Sequence, residues 1–431
     1  MKKISIGTAV ALAAMTAAVT VSLTYLYAMD RFNTKVADVN ERQAMYAKLN
    51  EIDQKVRRDS VGELDETALK DAICAGYVAG LGDANAKYLS AEKYRVFLQG
   101  DAQKNVGVGI RTIQDEDGNM EIVEVLPQSA AEEAGLKKGD VILAIDGKEV
   151  IRITYGEALS YLDGAAGTQV TFRVLRTETT ETEEDGKTIS EEVSKTMDFS
   201  ITRSEYESNS VVGKMINGNV GCLTIRSFTN DTADEMEDAL SELQKEEMCG
   251  LVIDLRGNTE GTVEQMVEAC RSLLPAGNVA RYVDSNGDTI SEASSGGGKL
   301  NVPMAVLIDD TTYGASEVLA AAIRDGKAGV LVGTETAGGA SRQDTIQLSD
   351  GSALILTVGY YVDAQGKSLY GSGVSPDREV ELSVLQKQVL MRELLDVRED
   401  PQMQTAVTAL IENGAAVQEV PGSSSDVSSS S

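Results

Sequence analysis

The chain has 431 residues, 42% hydrophobic and 25% charged, with a formal charge of −29. Domains of about 100–200 residues leave room for two or three, and the composition is that of a globular chain. So anionic a balance argues against nucleic acid or an anionic membrane surface as partner, because Lys and Arg supply that affinity. The complete lack of histidine excludes Ser-His-Asp and Cys-His chemistry and every His-ligated metal site. Cys74, Cys222, Cys249 and Cys270 lie too far apart for a C-x-x-C motif and read as small core hydrophobes, so no metal and no cofactor is expected.

Lys2 and Lys3 precede an uncharged stretch, Ile4 to Met29, long enough at about 1.5 Å per residue to cross a hydrocarbon core of about 30 Å. Residues 1–29 are therefore expected to be one transmembrane signal-anchor. The rival is a cleaved signal peptide, whose apolar region would be only about 7–15 residues. The lysines place the N-terminus in the cytoplasm and the bulk of the chain outside the cell membrane. Residues 30–62 read as a stalk helix with Val36, Val39, Tyr46, Leu49, Ile52 and Val56 on one face, able to pair with a second copy or to pack on its own domain. A helical segment follows at 63–104.

Residues 105–176 carry short strands, VGVGIRTI, EIVEVL, DVILAIDGKEV and QVTFRVLR, with AAEEAGL between the second and third and Asp-Gly and Lys-Gly-Asp turns between them. The string SAAEEAGLKKGDVILAIDGKEV, Ser129 to Val150, resembles the PDZ domain of bacterial envelope proteases. That resemblance implies a groove in which a peptide adds as a strand, its C-terminal carboxylate held by backbone N–H groups of a glycine loop. The matching loop is Val108-Gly109-Ile110, and the groove helix would begin near Thr154 and carry Ala158, Leu159 and Leu162. The rival is a PDZ domain that only packs on its neighbour. Residues 177–200 read as a solvated acidic hairpin extension.

From Val211 buried strands alternate with helices: GCLTIRSF, a helix over 232–245, GLVIDLRG, a helix over 262–274, MAVLIDD, a helix over 315–325, and GVLVGT. Together with YGASEVLAAAIRD, GTETAGGASRQ, LSDGSALILTVGYY and GSGVSPD, this order resembles the carboxyl-terminal processing, or tail-specific, serine proteases from about Leu64 to Val380. The implied architecture is an α/β protease-like core at 201–385 with an inserted PDZ domain, preceded by a helical segment and one transmembrane helix. C-terminal helices at 386–420 and a disordered Ser-rich tail at 421–431 complete it.

The family works with a Ser-Lys dyad, which suits a chain without histidine, since a desolvated lysine can act as base near neutral pH. Its nucleophile stands three residues before the glutamate of a Ser-Ala-Ser-Ala-Ser-Glu-like turn, and counting back from Glu317 that position is Gly314. Its lysine stands four residues before an orienting glutamine. Gln343 occupies the glutamine position and Gly339 the lysine position. Loss of either group in a serine protease removes on the order of 10⁶ in kcat. The fallback hydroxyls are Ser316 and Ser341, and Lys327 reads as an exposed helix end. The family's oxyanion loop reads Arg256-Gly257-Asn258-Thr259-Glu260-Gly261 here, and the Glu260 carboxylate is expected to repel the oxyanion served by Gly261 and Ala315. The family's Asp-Pro-His-Ser stretch corresponds to Gly82-Asp83-Ala84-Asn85-Ala86, without its histidine, and Tyr88 remains.

These readings imply a membrane-anchored pseudoprotease that binds protein C-termini or unfolded segments. The alternatives are an active endopeptidase using displaced residues and a structural partner of an active paralogue or of a second copy. The paired change Gly314→Ser and Gly339→Lys is expected to restore some hydrolysis, with Glu260→Gly as an aid.

Overall fold

The computed structural model describes residue 20 and residues 42–83, 85–100, 105–184, 187–206, 208–216, 218–298 and 300–418. No helix among them is long and apolar enough to cross a membrane. The stretch read as a membrane anchor, apart from Thr20, lies outside the described residues, as do Val36, Val39 and the Ser-rich tail. The chain divides into two compact units, residues 1–74 and 75–431. In the first, helix α1 runs over residues 42–59. Arg57 pairs there with Asp53 at 2.8 Å and with Glu66 at 2.5 Å. The apolar stripe Tyr46, Leu49 and Ile52 is exposed. Helix α2 (Glu66–Ala79) begins in this unit and ends in the second.

The segment expected to be helical throughout contains a short strand, β1 (Lys87–Leu89), before α3 (Ala91–Gly100). The reason lies far away in sequence: Lys87–Leu89 pairs with residues 353–355, a tertiary contact that overrides local preference.

The PDZ-like module comprises β2 (Asn105–Gly107), β3 (Ile110–Gln114), β4 (Met120–Val125), α4 (Ala130–Ala134), β5 (Val141–Ile145), β6 (Lys148–Glu149), α5 (Tyr155–Leu159), β7 (Gln169–Glu184), β8 (Lys187–Thr202) and β9 (Ser204–Tyr206). Strand order in its main sheet is β3-β4-β5-β7-β8, so β3 is an edge. The acidic hairpin is the continuation of β7 and β8, paired without a break from Gln169↔Thr202 to Glu184↔Lys187. The module's sheet therefore runs on to Thr202 and does not stop at Arg176. Met120, Ile122, Ile142, Ile145, Val170 and Phe172 form its core.

The rest of the second unit is α/β. In chain order it holds β10 (Val211–Ile216), β11 (Val220–Ile225), α6 (Thr232–Lys245), β12 (Gly250–Asp254), α7 (Val263–Ala269), β13 (Ala276–Asp284) and β14 (Thr289–Gly296). Then come β15 (Met304–Ile308), α8 (Ala315–Asp325), β16 (Gly329–Gly333), β17 (Ser341–Gln347), β18 (Ala353–Val362), β19 (Arg378–Glu379), α9 (Val384–Met391) and α10 (Pro401–Glu412). The central sheet is ordered β10-β11-β12-β15-β16-β19, parallel except for β10. Its strands are apolar on both sides because both faces are covered. Leu251 and Ile253 of β12 face the cluster shared with α6, α7 and α8, whereas Val252 faces α10. A second sheet, β1-β18-β13-β14 with β17 on β18, packs Val279, Ala280, Tyr282 and Tyr361 into the first cluster.

Helix α7 is shorter than the expected 262–274. After Ala269 the chain closes tight turns onto the Cys270 carbonyl, and Pro275 disfavours helical backbone at Leu274.

Candidate functional site

The turn between β15 and α8 is pinned from below. Thr312 Oγ1 donates to the Leu255 carbonyl at 3.1 Å, Tyr313 N–H donates to the Asn258 carbonyl at 3.0 Å, and Gly257 N–H donates to Thr311 Oγ1 at 2.9 Å. The turn ends at Gly314, with φ 65° and ψ −116°. That backbone is strained for any residue with a Cβ, and a Cβ built there would meet nothing within 4 Å. A sharp strand-to-helix turn that aims a side chain into open space is the frame a nucleophile uses. The residue in that frame has no side chain.

Behind it lies Glu317, fully buried, at the third position of α8. One carboxylate oxygen accepts from Gly314 N–H (2.9 Å) and Gly339 N–H (2.6 Å), the other from Gly338 N–H (2.7 Å) and Thr336 Oγ1 (2.5 Å). The two glycine positions singled out in the sequence thus share one carboxylate. Burial pushes the Glu317 carboxyl up, against the four hydrogen bonds that favour its charged form.

Gly339 is closed off by Tyr313. A Cβ on Gly339 would lie 1.9 Å from Tyr313 Cε2 and 2.1 Å from its Cζ, so the ring fills the space a side chain would need. The Tyr313 hydroxyl donates to Asn85 Oδ1 at 2.7 Å, and Asn85 Nδ2 donates to Ser341 Oγ at 3.2 Å. Gln343 Nε2 also donates to Ser341 Oγ, at 2.8 Å, and that hydroxyl donates to the Gly339 carbonyl at 3.3 Å. Burial raises the Tyr313 phenol, which keeps its donor proton. The expected repair therefore meets an obstacle, because a side chain at 339 runs into the Tyr313 ring as it stands.

The fallback hydroxyls differ from each other. Ser316 is fully buried, and its Oγ has no hydrogen-bond partner among the described residues. Ser341 Oγ receives two amide donors and gives its proton to a carbonyl, an arrangement without the adjacent base that activates a hydroxyl. Gln343 orients this serine. Asn85 and Tyr313 are the site residues that sequence reasoning left unassigned. The signals were their places, Asn85 in the stretch matched to the family's Asp-Pro-His-Ser and Tyr313 beside Gly314.

In the loop expected to serve the oxyanion, Gly261 has φ 114°, and a Cβ on it would fall 2.5 Å from Phe228. Ala315 is buried and Glu260 is exposed. Burial first, then the Glu260 charge, raises the Asp163 carboxyl, and burial with Asp163 and Glu260 raises the Tyr206 phenol to about 12. No cluster of His, Cys, Asp and Glu suited to a metal occurs among the described residues.

Residues 219–380 match the family model described as peptidase family S41, and residues 121–176 match that of a PDZ domain. Over 338 residues the chain is 28% identical to the carboxy-terminal processing protease CtpA of Bacillus subtilis (strain 168), covering 78% of this chain and 69% of that protein. It is 29% identical over 309 residues to a carboxyl-terminal-processing protease of Synechocystis sp., covering 70% and 69%. Among solved structures, the photosystem II D1 C-terminal processing protease aligns with TM-score 0.50 and 27% identity, covering 74% of this chain and 84% of that one. A putative S41 protease from Bacteroides fragilis shares the fold, with TM-score 0.52, 21% identity and coverage of 82% and 92%.

The chain carries a peptidase family S41 region, with a PDZ domain before it.

The PDZ loop departs from the expectation in two ways. The Val108 and Ile110 side chains are core, and Val108 N–H is engaged by the Leu162 carbonyl at 3.0 Å, leaving fewer donors for a carboxylate. Gly109 has φ 77°, and a Cβ there would lie 2.3 Å from that of Ser129, so only glycine fits. Of the helix residues named from sequence, Ala158 and Leu162 are buried in the module and only Leu159 is exposed. Tyr155 spans from α5 to β3 instead, its hydroxyl 3.0 Å from Thr112 Oγ1.

Proposed function

We propose that this S41 chain is a pseudoprotease whose ligands are the C-termini or unfolded segments of other proteins, taken up by its PDZ domain. The observation that carries the reading is the pair Gly314 and Gly339: both lack a side chain, both donate their N–H to one buried carboxylate, and a tyrosine ring stands where a base would reach. Relatives named carboxy-terminal processing proteases supply the substrate class, protein C-termini. The groove supplies an edge strand, β3, beside a glycine loop, which is the geometry of strand addition. The uncharged stretch from Ile4 to Met29 would hold the protein in the membrane by one helix, with the remainder extracytoplasmic.

The test is a fluorophosphonate probe on the purified protein, followed by mass spectrometry of an unstructured protein incubated with it. No covalent adduct and no new termini are expected. An adduct mapped to Ser316 or Ser341, with cleavage that the probe abolishes, would establish the alternative, an active endopeptidase working through displaced residues.

A further inference from the structure

We propose that Tyr313 is a built-in stopper and that Tyr313 and Gly339 form one coupled pair, so that the base side of the site is filled rather than empty. The inference rests on reading Gly339 as the base position and adds how that position is closed.

Three atoms of the Tyr313 ring would lie 1.9, 2.1 and 2.4 Å from a Cβ on Gly339. Even a methyl group requires the ring to move by more than an ångström to reach van der Waals separation. The ring is not free to do so. Its backbone N–H is held by the Asn258 carbonyl, the preceding Thr312 is anchored to the Leu255 carbonyl, and its hydroxyl is bonded to Asn85. The dependence also runs the other way, because the ring lies where it does only while residue 339 has no side chain.

Gly314 differs: a Cβ there meets nothing within 4 Å, so the obstacle to a serine is backbone strain and not volume. The nucleophile side is therefore open and the base side shut. Asn85, Ser341 and Gln343 complete the closure as a chain of hydrogen bonds from the segment preceding β1 to β17. No lysine introduced at 339 reaches Gly314 while Tyr313 remains.

A double-mutant cycle on the full chain tests the coupling through thermal melts. Gly339→Ala should lower Tm by roughly 5 °C or more with Tyr313 present, from overpacking. In a Tyr313→Ala background it should lower Tm by about one degree at most. Failure of Gly339→Ala to fold, rescued by Tyr313→Ala, supports the pair equally. Tyr313→Phe, which keeps the ring and loses the hydroxyl, should retain the full Gly339→Ala penalty. Equal penalties with and without the ring would overturn the proposal, as would a penalty that vanishes in Tyr313→Phe. The cycle contains no catalytic readout, so its failure is distinguishable from failure of the pseudoprotease reading.

Discussion

Glu317 is a single residue on which the whole site closes. It accepts from Gly314, Gly338, Gly339 and Thr336 and is fully buried. In Glu317→Gln the amide NH₂ must face at least one of these donor pairs, leaving buried N–H groups unsatisfied at a cost of about 1–3 kcal/mol. Denaturant unfolding should report that loss. The sign of its pH dependence follows from burial, which raises the folded-state pKa above the unfolded one. The stability contributed by this carboxyl is fully present below the unfolded pKa and is lost as pH rises through the folded value. The gap between native protein and Glu317→Gln should therefore be widest on the acid side and narrow toward neutral pH. A gap independent of pH would show that Glu317 keeps an ordinary carboxylate pKa.

At the scale of elements, the turn after α9 is clamped to the PDZ strands. Arg392 pairs with Glu121 of β4 at 2.9 Å, and Glu393 pairs with Arg111 of β3 at 2.7 Å and with Arg226 at 3.1 Å. Arg111 and Arg226 also reach Glu124, and Lys138 Nζ donates to the Arg392 carbonyl. Burial opposes the Glu393 charge, but Arg111 and Arg226 outweigh it and hold the carboxyl below its usual range. Its stabilisation is present above the unfolded pKa and is lost as pH falls through the folded one. These side chains are partly exposed, so each pair contributes little and salt screens it. Glu393→Gln should raise hydrogen exchange of β3 and β4 by roughly two- to fivefold at low salt, and added salt should erase the difference. Unchanged exchange in β3 would mean that the clamp does not hold the edge strand.

For the whole molecule, the proposed function divides between a closed core and an open edge. Peptides with a free apolar C-terminus should bind the full chain more tightly than their amidated copies, on the order of tenfold for lost charge-assisted hydrogen bonds. Calorimetric titration showing equal affinity would make the groove a reader of internal segments, consistent with Val108 N–H being occupied by Leu162. Family, domain order and helices α6 and α8 were legible in the chain itself, because amphipathic period, caps and turn residues are local signals. Gly314, Gly339 and Gln343 were placed by fixed offsets from Glu317 and from the Gly333-Thr334 strand end, and the fold brings the two glycines to one carboxylate. Three things were decided only by tertiary structure. Strand β1 forms because residues 87–89 meet 353–355, and the acidic hairpin proves to be β7 and β8 prolonged. The third is the Tyr313 ring lying across Gly339, 26 positions away, and bonded to Asn85, 228 positions away. Spacing along the chain can mark a side chain as missing; which atoms fill the space it leaves depends on segments that only folding brings together.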